Sequence, residues 1–301
     1  MLKEQDINLI SLIDRFHDED RCRTYLETLR WPDGLECPRC GGKTISRIKT
    51  RHQLDCDSCR YRFSVTAGTI FHDSHLPLWK WFVAVYLIVE SKKGISAKQM
   101  ERTLGTTYRT AWHLNHRIRA ALKEVDAQLL KGIVEADETF VGGEVEGMGR
   151  GYRGNKTVVV GAFQRDGAIR LQVVRGRDRE TLHGFIRENV AGDAQAIYTD
   201  DWKAYEGIAS DSGATRHETV NHSEKEYVRG DVHTNSMENV WSLLKRSIVG
   251  SYHQVSAKHL DACLDELEFR FNNRENPYMF RDAMRKLLVA ETLPYAKLIA
   301  D

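Results

Sequence analysis

The stretch IVEADETFVGG, residues 133–143, decides the fold that this sequence predicts. Its apolar residues, among them Ile133, Val134 and Phe140, are typical of a buried β-strand. Three acids interrupt the strand pattern: Glu135, Asp137 and Glu138. Burying a carboxylate is costly unless another group pairs with it, and a metal ion is one such partner. The stretch therefore predicts a strand that carries a metal-binding acid near its end.

The bulk composition is that of a globular protein. The chain has 301 residues, of which 41% are hydrophobic, and can bury a core across two or three domains. Its longest apolar run, residues 81–89, is too short to cross a bilayer, and its first residues do not have the pattern of a signal peptide. We therefore expect a cytoplasmic protein.

Charge is distributed unevenly along the chain. The formal net charge is only +1, yet residues 79–123 carry nine Lys or Arg residues against two Glu residues, so the remainder is acidic. This division suits a protein that binds phosphates with one part and performs carboxylate chemistry with another. A solvated helix face explains the basic segment equally well.

Four of the six cysteines form two CxxC pairs: Cys37 and Cys40, then Cys56 and Cys59. This is the spacing of a zinc ribbon, in which two tight turns complete the tetrahedral set of thiolates that zinc prefers. Gly41 follows the first pair, where a left-handed backbone is expected. The pattern predicts one structural Zn²⁺ with no open position for catalysis.

Two disulfides are the alternative for these cysteines, but the lack of a secretory pattern favours thiolate ligation in a reducing cytoplasm. Cys22 and Cys263 are expected to be ordinary buried thiols. Basic residues surround the predicted ribbon and make it a candidate for DNA contact: Arg39, Lys43, Arg47, Lys49, Arg51, Arg60 and Arg62.

A helix-turn-helix is predicted after the ribbon. Residues 79–89 are apolar on all sides and indicate a buried helix. Ser96 is a suitable N-cap for a second helix, and Gly105 is a suitable stop before a third. The third would be the recognition helix, which presents polar residues to a DNA groove: Arg109, His113 and Arg117. A purely structural helical hairpin is the alternative.

Further strands follow the opening stretch. Two β-like segments, residues 157–164 and 168–174, flank an Asp-Gly turn. An amphipathic helix then leads to a short strand, residues 196–199, with Asp200 at its end. An acid at the end of a strand is well placed for an active site.

A later helix carries a third acid. Asn235 is a suitable N-cap, and Glu238 stands three residues later, which is also the pattern of a capping box without any catalytic role. Glu238, Trp241 and Lys245 would share one face of this helix. An exposed, salt-bridged face explains the same spacing when the helix is considered alone.

The order of these elements favours catalysis. A strand with Asp137, a hairpin, a helix, a strand with Asp200 and a helix with Glu238 form the succession of a ribonuclease H-like fold. Three concentrated carboxylates need compensating cations, and oxygen ligands suit Mg²⁺ or Mn²⁺. The sequence thus predicts a multidomain α+β protein with an N-terminal zinc ribbon, a helix-turn-helix and a ribonuclease H-like α/β domain with a mixed sheet.

Some residues receive no assigned role or a structural one. Trp202 and Tyr205 are expected to pack a short helix against the sheet rather than to stack on bases. Four others cluster in sequence near the third acid, where DNA contact, core packing and support of a metal are all open: His217, His222, Tyr227 and His233.

Taken together, these motifs resemble the IS1595, or ISXO2-like, DDE transposases of bacterial insertion sequences. The resemblance spans nearly the whole chain and rests on segments such as CPRCGG, CDSC, VEADETFVGG, KTVVVGAFQRDG, YTDDWKAY and HTNSMENVWSLLKR. It implies that Asp137, Asp200 and Glu238 are the catalytic acids, which bind two Mg²⁺ or Mn²⁺ ions. It also implies that Lys245 matches the lysine of the family.

The resemblance implies a transposase that binds the terminal inverted repeats of its element, cleaves at the 3′ ends and joins them to target DNA. Such an enzyme would act as a homodimer or higher oligomer on DNA in the bacterial nucleoid. A catalytically silent DNA-binding regulator and a nuclease that cuts without joining are the alternatives. The predicted domains are an N-terminal helical segment, a zinc ribbon, a helix-turn-helix region and a catalytic domain that includes the C-terminal helices: residues 1–31, 32–75, 76–128 and 129–301.

Overall fold

The computed structural model describes residues 7–142, 154, 156–220 and 228–300. Within these ranges the chain forms two compact units. Unit 1 comprises residues up to 91, residues 95–123 and residues from 275 onwards, whereas unit 2 comprises residues 92–94 and 124–274. None of the helices in the described ranges combines the length and the hydropathy that a membrane span requires.

The C-terminal residues belong to unit 1, whereas the predicted catalytic domain included them. The reason is aromatic and aliphatic packing that no local pattern reveals. The ring of Phe280 lies 6.0 Å from that of Phe82, and the carbonyl of Leu287 accepts a hydrogen bond from the N–H of Ile70. The other predicted domain limits remain predictions.

Unit 1 contains a small antiparallel sheet and several helices. Its strands β1, β2 and β3 are paired in chain order: Ile45–Ile48, Gln53–Cys56 and Arg62–Phe63. Its helices α1 to α5, α10 and α11 are Leu9–Arg15, Glu19–Arg30, Leu78–Glu90, Ala97–Leu104, Tyr108–Leu122, Met279–Val289 and Tyr295–Ile299. Helix α3 confirms the predicted apolar helix and buries Trp81 and Phe82 almost completely.

Helices α4 and α5 are joined by a tight turn, as the capping signals predict. The Ser96 side chain accepts a hydrogen bond from the N–H of Gln99, and Gly105 adopts a left-handed φ of 58° directly after α4. Thr107 then caps α5 in the same way as Ser96 caps α4. The geometry is that of two helices around a glycine turn, and their role in reading DNA remains a prediction.

Unit 2 is built on a five-stranded mixed sheet. The strands β4 to β8 are Ile133–Val141, Thr157–Gln164, Ile169–Val174, Ala196–Asp200 and His217–Val220. Its order is β6-β5-β4-β7-β8, in which β4, β5 and β6 are antiparallel and β7 and β8 run parallel to β4. This order confirms the ribonuclease H-like α/β fold.

Helices cover both faces of this sheet. The helices of unit 2, α6 to α9, span Arg179–Asn189, Ile208–Ser212, Asn235–Ser247 and Ala257–Asn272. On one face α6 buries Leu182 and Ile186 against Val134 and Ala136 of β4. On the other face α8 and α9 bury an apolar cluster against β4 and β5, which includes Trp241. Each such side chain contributes about 1.5 to 3 kcal/mol through burial.

Candidate active site and metal-binding ribbon

The four cysteines of the CxxC pairs converge on one point. Their Sγ atoms all lie within 4.8 Å of one another. Gly41 has the predicted left-handed backbone, with a φ of 70°, and its N–H donates to the carbonyl of Cys37. In the second CxxC turn the residue with the left-handed backbone is Arg60, with a φ of 58°, and not a glycine.

This cysteine cluster has the chemistry of a closed metal site. Hydrogen bonding from the N–H of Cys59 lowers the pKa of the Cys56 thiol to about 7, despite burial. Thiolates so close together repel one another, and a cation bound by all four offsets this repulsion. The four cysteines are therefore able to bind a metal ion.

The three acids of the opening stretch have three different environments. Glu135 is fully buried and contacts the start of α8, where it accepts hydrogen bonds from the N–H and the Oγ of Ser236 at 2.9 and 3.1 Å. The side chain of Glu138 is 4% exposed and faces the other side of the sheet, where Arg177 Nη1 and Tyr205 Oη lie 3.3 and 3.0 Å from its oxygens. Both carboxylates are thus committed to protein partners.

Asp137 lies between them and faces a cleft. Burial and the nearby charges of Glu138 and Asp200 together raise the pKa of Asp137 to about 7, although a hydrogen bond from Trp241 lowers it. A desolvated carboxylate beside other acids favours a compensating positive charge. Its oxygen donors fit a hard cation such as Mg²⁺ or Mn²⁺.

Asp200 is the last residue of β7, the strand that pairs in parallel with β4. In this pairing Ile133 lies opposite Ala196 and Glu135 lies opposite Tyr198. Asp137 and Asp200 each follow two residues after the last pair, so they lie on neighbouring strands at the same end of the sheet. The predicted convergence of these two strands is therefore present. Oδ1 of Asp200 also accepts a hydrogen bond from the N–H of Trp202 at 3.2 Å.

Glu238 lies in the first turn of α8 and lines the same cleft as Asp137. The cleft has a volume of about 780 Å³ and combines acids with cations. Its basic lining residues are Lys93, Lys245 and Arg246. Among the described residues, the four cysteines form the one group of three or more His, Cys, Asp or Glu side chains whose ligand atoms all lie within 4.8 Å of one another. The three carboxylates are therefore farther apart than the four thiols.

The start of α8 corrects one prediction. Thr234, not Asn235, is the N-cap residue, and its side chain makes no capping hydrogen bond. Glu238 is therefore one position too far along the helix for a capping box, since the N3 position is Met237. The carboxylate that receives the first amides of α8 is Glu135, which no local capping pattern could reveal.

The three residues predicted to read DNA are in different environments. Arg109 is exposed, and its guanidinium lies 4.2 Å from the ring centroid of Tyr295. His113 is half-buried, with Nε2 at 2.9 Å from the carbonyl of Leu293, and burial lowers its pKa.

Arg117 is buried, which corrects its predicted role. Its guanidinium donates to the carbonyls of Ile70 and His72 and lies over the Trp81 ring. Since a guanidinium bound in this way is not presented to a groove, Arg117 stabilises unit 1 instead.

The structure describes four of the six residues that were assigned no role, or a structural one, from sequence. His217 Nε2 lies 2.9 Å from Thr199 Oγ1, and His233 Nδ1 lies 3.2 Å from Glu135. His222 and Tyr227 are outside the described residues. Tyr205 is fully buried as predicted, whereas Trp202 is partly exposed and stacks on Arg177 at 3.9 Å.

Comparison with known families supports this architecture. Residues 129–272 match the model of the ISXO2-like transposase domain, and residues 17–62 match that of the transposase zinc-ribbon domain. A protein of the transposable element ISH50 of Halobacterium salinarum is 31% identical over 257 residues, which cover 78% of this chain and 84% of that protein. The chain belongs to the ISXO2-like (IS1595) transposase family.

One further protein and two solved structures are similar to parts of this chain. A transposase-like protein of Haemophilus influenzae is 31% identical over 103 residues, which cover 34% of this chain and 80% of that protein. Among solved structures, a pre-cleavage Mos1 transpososome and a Mos1 strand transfer complex cover 69% of this chain, and 75% and 74% of theirs. Their identities are 10% and 11% and their TM-scores 0.29 and 0.30, values that do not establish a shared fold.

Proposed function

We propose that this member of the ISXO2-like family is an active DDE transposase, which cleaves DNA at the 3′ ends of its element and joins them to target DNA. The observation that carries this proposal is the placement of Asp137 and Glu238 in one cleft, with Asp200 at the end of the strand adjacent to that of Asp137. A strand, its parallel neighbour and a helix thus supply one acid each. All three lie in unit 2.

The three acids are the residues that would hold two Mg²⁺ or Mn²⁺ ions. When bound, such ions supply an activated water or 3′-hydroxyl and stabilise the leaving oxygen of a phosphodiester. The desolvation of Asp137 is what makes the donor set fit a cation. The four cysteines of the ribbon would hold one Zn²⁺ with a structural role.

The protein side chains around the acids orient them and bind the DNA. Trp241 donates to Asp137 and so limits the rotation of the carboxylate. Lys245, one helical turn after Trp241, is exposed on the cleft, where its ammonium would bind a DNA phosphate. Arg246 lies beside it and would add a second phosphate contact.

DNA recognition would fall to unit 1. Its α4–α5 pair presents the N-terminal turn of α5, in which Arg109 is exposed, and this turn is the part of a recognition helix that reaches base edges. The zinc ribbon would contribute further basic residues. Two element ends must be held in one reaction, so we infer a homodimer or higher oligomer on DNA.

The deciding experiment is a strand-transfer assay with labelled DNA that carries the ends of the element, a target plasmid, and either Mg²⁺ or EDTA. Asp200→Asn should abolish joined products, whereas the matched control Asp201→Asn at the exposed neighbouring acid should retain them. Specific DNA binding without cleavage under any divalent metal would instead support a silent regulator. Cleaved but never joined DNA would support a nuclease of the same fold.

A further inference from the structure

We propose that Glu135 is a positioning residue of the active site, which fixes the start of α8, and with it Glu238, onto the strand that carries Asp137. This proposal rests on the proposed function, because it assigns Glu238 a role at the reacting site. Glu135 itself does not line the cleft. It would act through the helix that it caps.

The contacts of Glu135 join two elements that are distant in sequence. Its Oε2 accepts hydrogen bonds from the N–H of Ser236 at 2.9 Å and from the N–H of Met237 at 3.4 Å. Its Oε1 accepts one from Ser236 Oγ at 3.1 Å. A single carboxylate on β4 therefore receives the amides of the second and third residues of α8.

Helix α8 has a particular need for this carboxylate. The first amides of a helix have no partner within the helix, and a side chain at the N-cap position usually supplies one. Thr234 makes no such bond. The negative charge of Glu135 is also favourable beside the positive end of the helix dipole. Since Glu238 follows Met237 directly, its backbone position depends on the amides that Glu135 binds.

Glu135 is itself held rigidly. Arg165 Nε donates to its Oε1 at 3.0 Å, and His233 Nδ1 lies 3.2 Å from the same oxygen. The Arg165 guanidinium in turn lies 4.9 Å from the ring centroid of Tyr198. Because Glu135 has no exposed surface, removal of one of these partners would leave a buried polar group unsatisfied, which is costly.

Strand geometry places Glu135 and Asp137 on the same face. Side chains two residues apart on a strand point to the same side of the sheet, and both of these reach α8: Glu135 at Ser236, and Asp137 at Trp241. The helix is thus attached to β4 at two points that flank Glu238 in sequence. Loss of the contact between Glu135 and Ser236 would leave the apolar packing of α8 in place but would release the first turn of the helix.

The test compares Glu135→Gln with the control Glu268→Gln. Glu268 is a half-buried carboxylate of unit 2 that accepts hydrogen bonds from Arg170 and from the N–H of Leu171, but it does not line the cleft. Four quantities are measured for each purified full-length variant: the melting temperature, the Mg²⁺ concentration for half-maximal DNA cleavage, the KM for DNA, and the affinity for Mn²⁺ without DNA by electron paramagnetic resonance.

We expect Glu135→Gln to remain folded and to lose metal affinity by about tenfold or more, as is typical when a group that orients a metal ligand is removed. The half-maximal Mg²⁺ concentration should rise accordingly, while the KM for DNA stays near its wild-type value. Glu268→Gln should leave both metal readouts unchanged even when its melting temperature falls equally far. Equal metal affinity in wild type and Glu135→Gln overturns the proposal.

A second variant covers the case in which Glu135→Gln does not fold. Ser236→Ala removes one hydroxyl donor to Glu135 and keeps the carboxylate buried with its other partners. It should shift Mn²⁺ affinity in the same direction by a smaller factor, and no shift overturns the proposal. A wild-type protein that binds Mn²⁺ but cleaves no DNA would refute the proposed function, while the Mn²⁺ comparison would still decide the role of Glu135.

Discussion

The indole Nε1 of Trp241 donates a hydrogen bond to Oδ2 of Asp137 over 2.8 Å. The donor lies on α8 and the acceptor on β4, so the bond ties the helix that carries Glu238 to the strand that carries the first acid. Trp241 is nearly fully buried, and its side chain belongs to the apolar cluster between α8 and the sheet. The same residue therefore both fills the core and orients a carboxylate.

Trp241→Phe should separate these two roles. Phenylalanine keeps most of the apolar packing but has no N–H, so the loss of the hydrogen bond should cost about 1 kcal/mol of stability. Metal-dependent cleavage should fall by about tenfold or more, because Asp137 loses the group that orients it. Urea unfolding and a cleavage time course measure the two effects. Unchanged cleavage would show that Trp241 serves packing alone.

Gly161→Ala should push α8 away from the sheet. Gly161 is the ladder partner of Asp137 on β5, and a Cβ there would lie 2.6 Å from Met237 Cε and 2.7 Å from Trp241 Cη2. Overpacking of this kind costs about 1 to 3 kcal/mol. We expect a lower urea midpoint and weaker cleavage.

The matched control for this change is Gly184→Ala in α6. A Cβ at Gly184 would meet just one atom within 4 Å, Arg187 Nη2 at 4.0 Å, so the substitution should be neutral or should stabilise by about 0.5 to 1 kcal/mol through helix propensity. If both variants show the same stability as wild type, the contact between Gly161 and α8 does not limit the approach of the helix.

The side chain of Glu268 should make the protein less stable as the pH rises. Burial raises the pKa of Glu268 to about 7, even though Arg170 and the N–H of Leu171 lower it. The ordinary pKa of the group in an unfolded chain is 4.5, so its contribution is fully present below that value and is lost as the pH rises to about 7. Glu268→Gln should flatten this part of the stability profile. Urea unfolding at pH 5 and pH 7 gives the change in the free energy of unfolding between the two pH values. The same change in wild type and in Glu268→Gln would contradict the prediction.

Thiol reactivity should distinguish the ribbon cysteines from the others. Chelation of the bound metal should expose four thiols, those of Cys37, Cys40, Cys56 and Cys59, to a disulfide reagent at pH 8. Cys22 should stay unreactive in the folded protein, since burial and nearby acids raise its pKa to about 12. Cys263 is buried as well. Cys22→Ser should not change the number of reactive thiols, and rapid reaction of all six cysteines would contradict the assignment.

Local patterns predicted much of the fold correctly, because they act over a few residues. Strand alternation placed β4 and β5, and the sequence signals at Ser96 and Gly105 placed the ends of α4, since capping depends on neighbouring backbone groups. The CxxC spacing predicted a four-cysteine cluster that the structure brings together. The order of acids and elements predicted the mixed sheet of unit 2.

The same alternation also distinguishes the three acids of β4 from one another. Residues 135 and 137 share one face of β4 while 138 lies on the other, which already separates Glu138 from the two acids that reach α8. A second strand-like element, β8, also went unpredicted, although its pairing with β7 extends the sheet beside Asp200.

The sequence by itself determined which residue types stand on which element: thiols on two turns, one acid at each of two strands, and a third acid on a helix. The tertiary structure alone decided what each acid contacts. Glu135 meets Ser236 across 101 positions of the chain, and Arg117 is buried against carbonyls 45 and 47 positions away. Periodicity and capping patterns extend over only a few residues, whereas the partner of a buried charge is fixed by packing between distant segments.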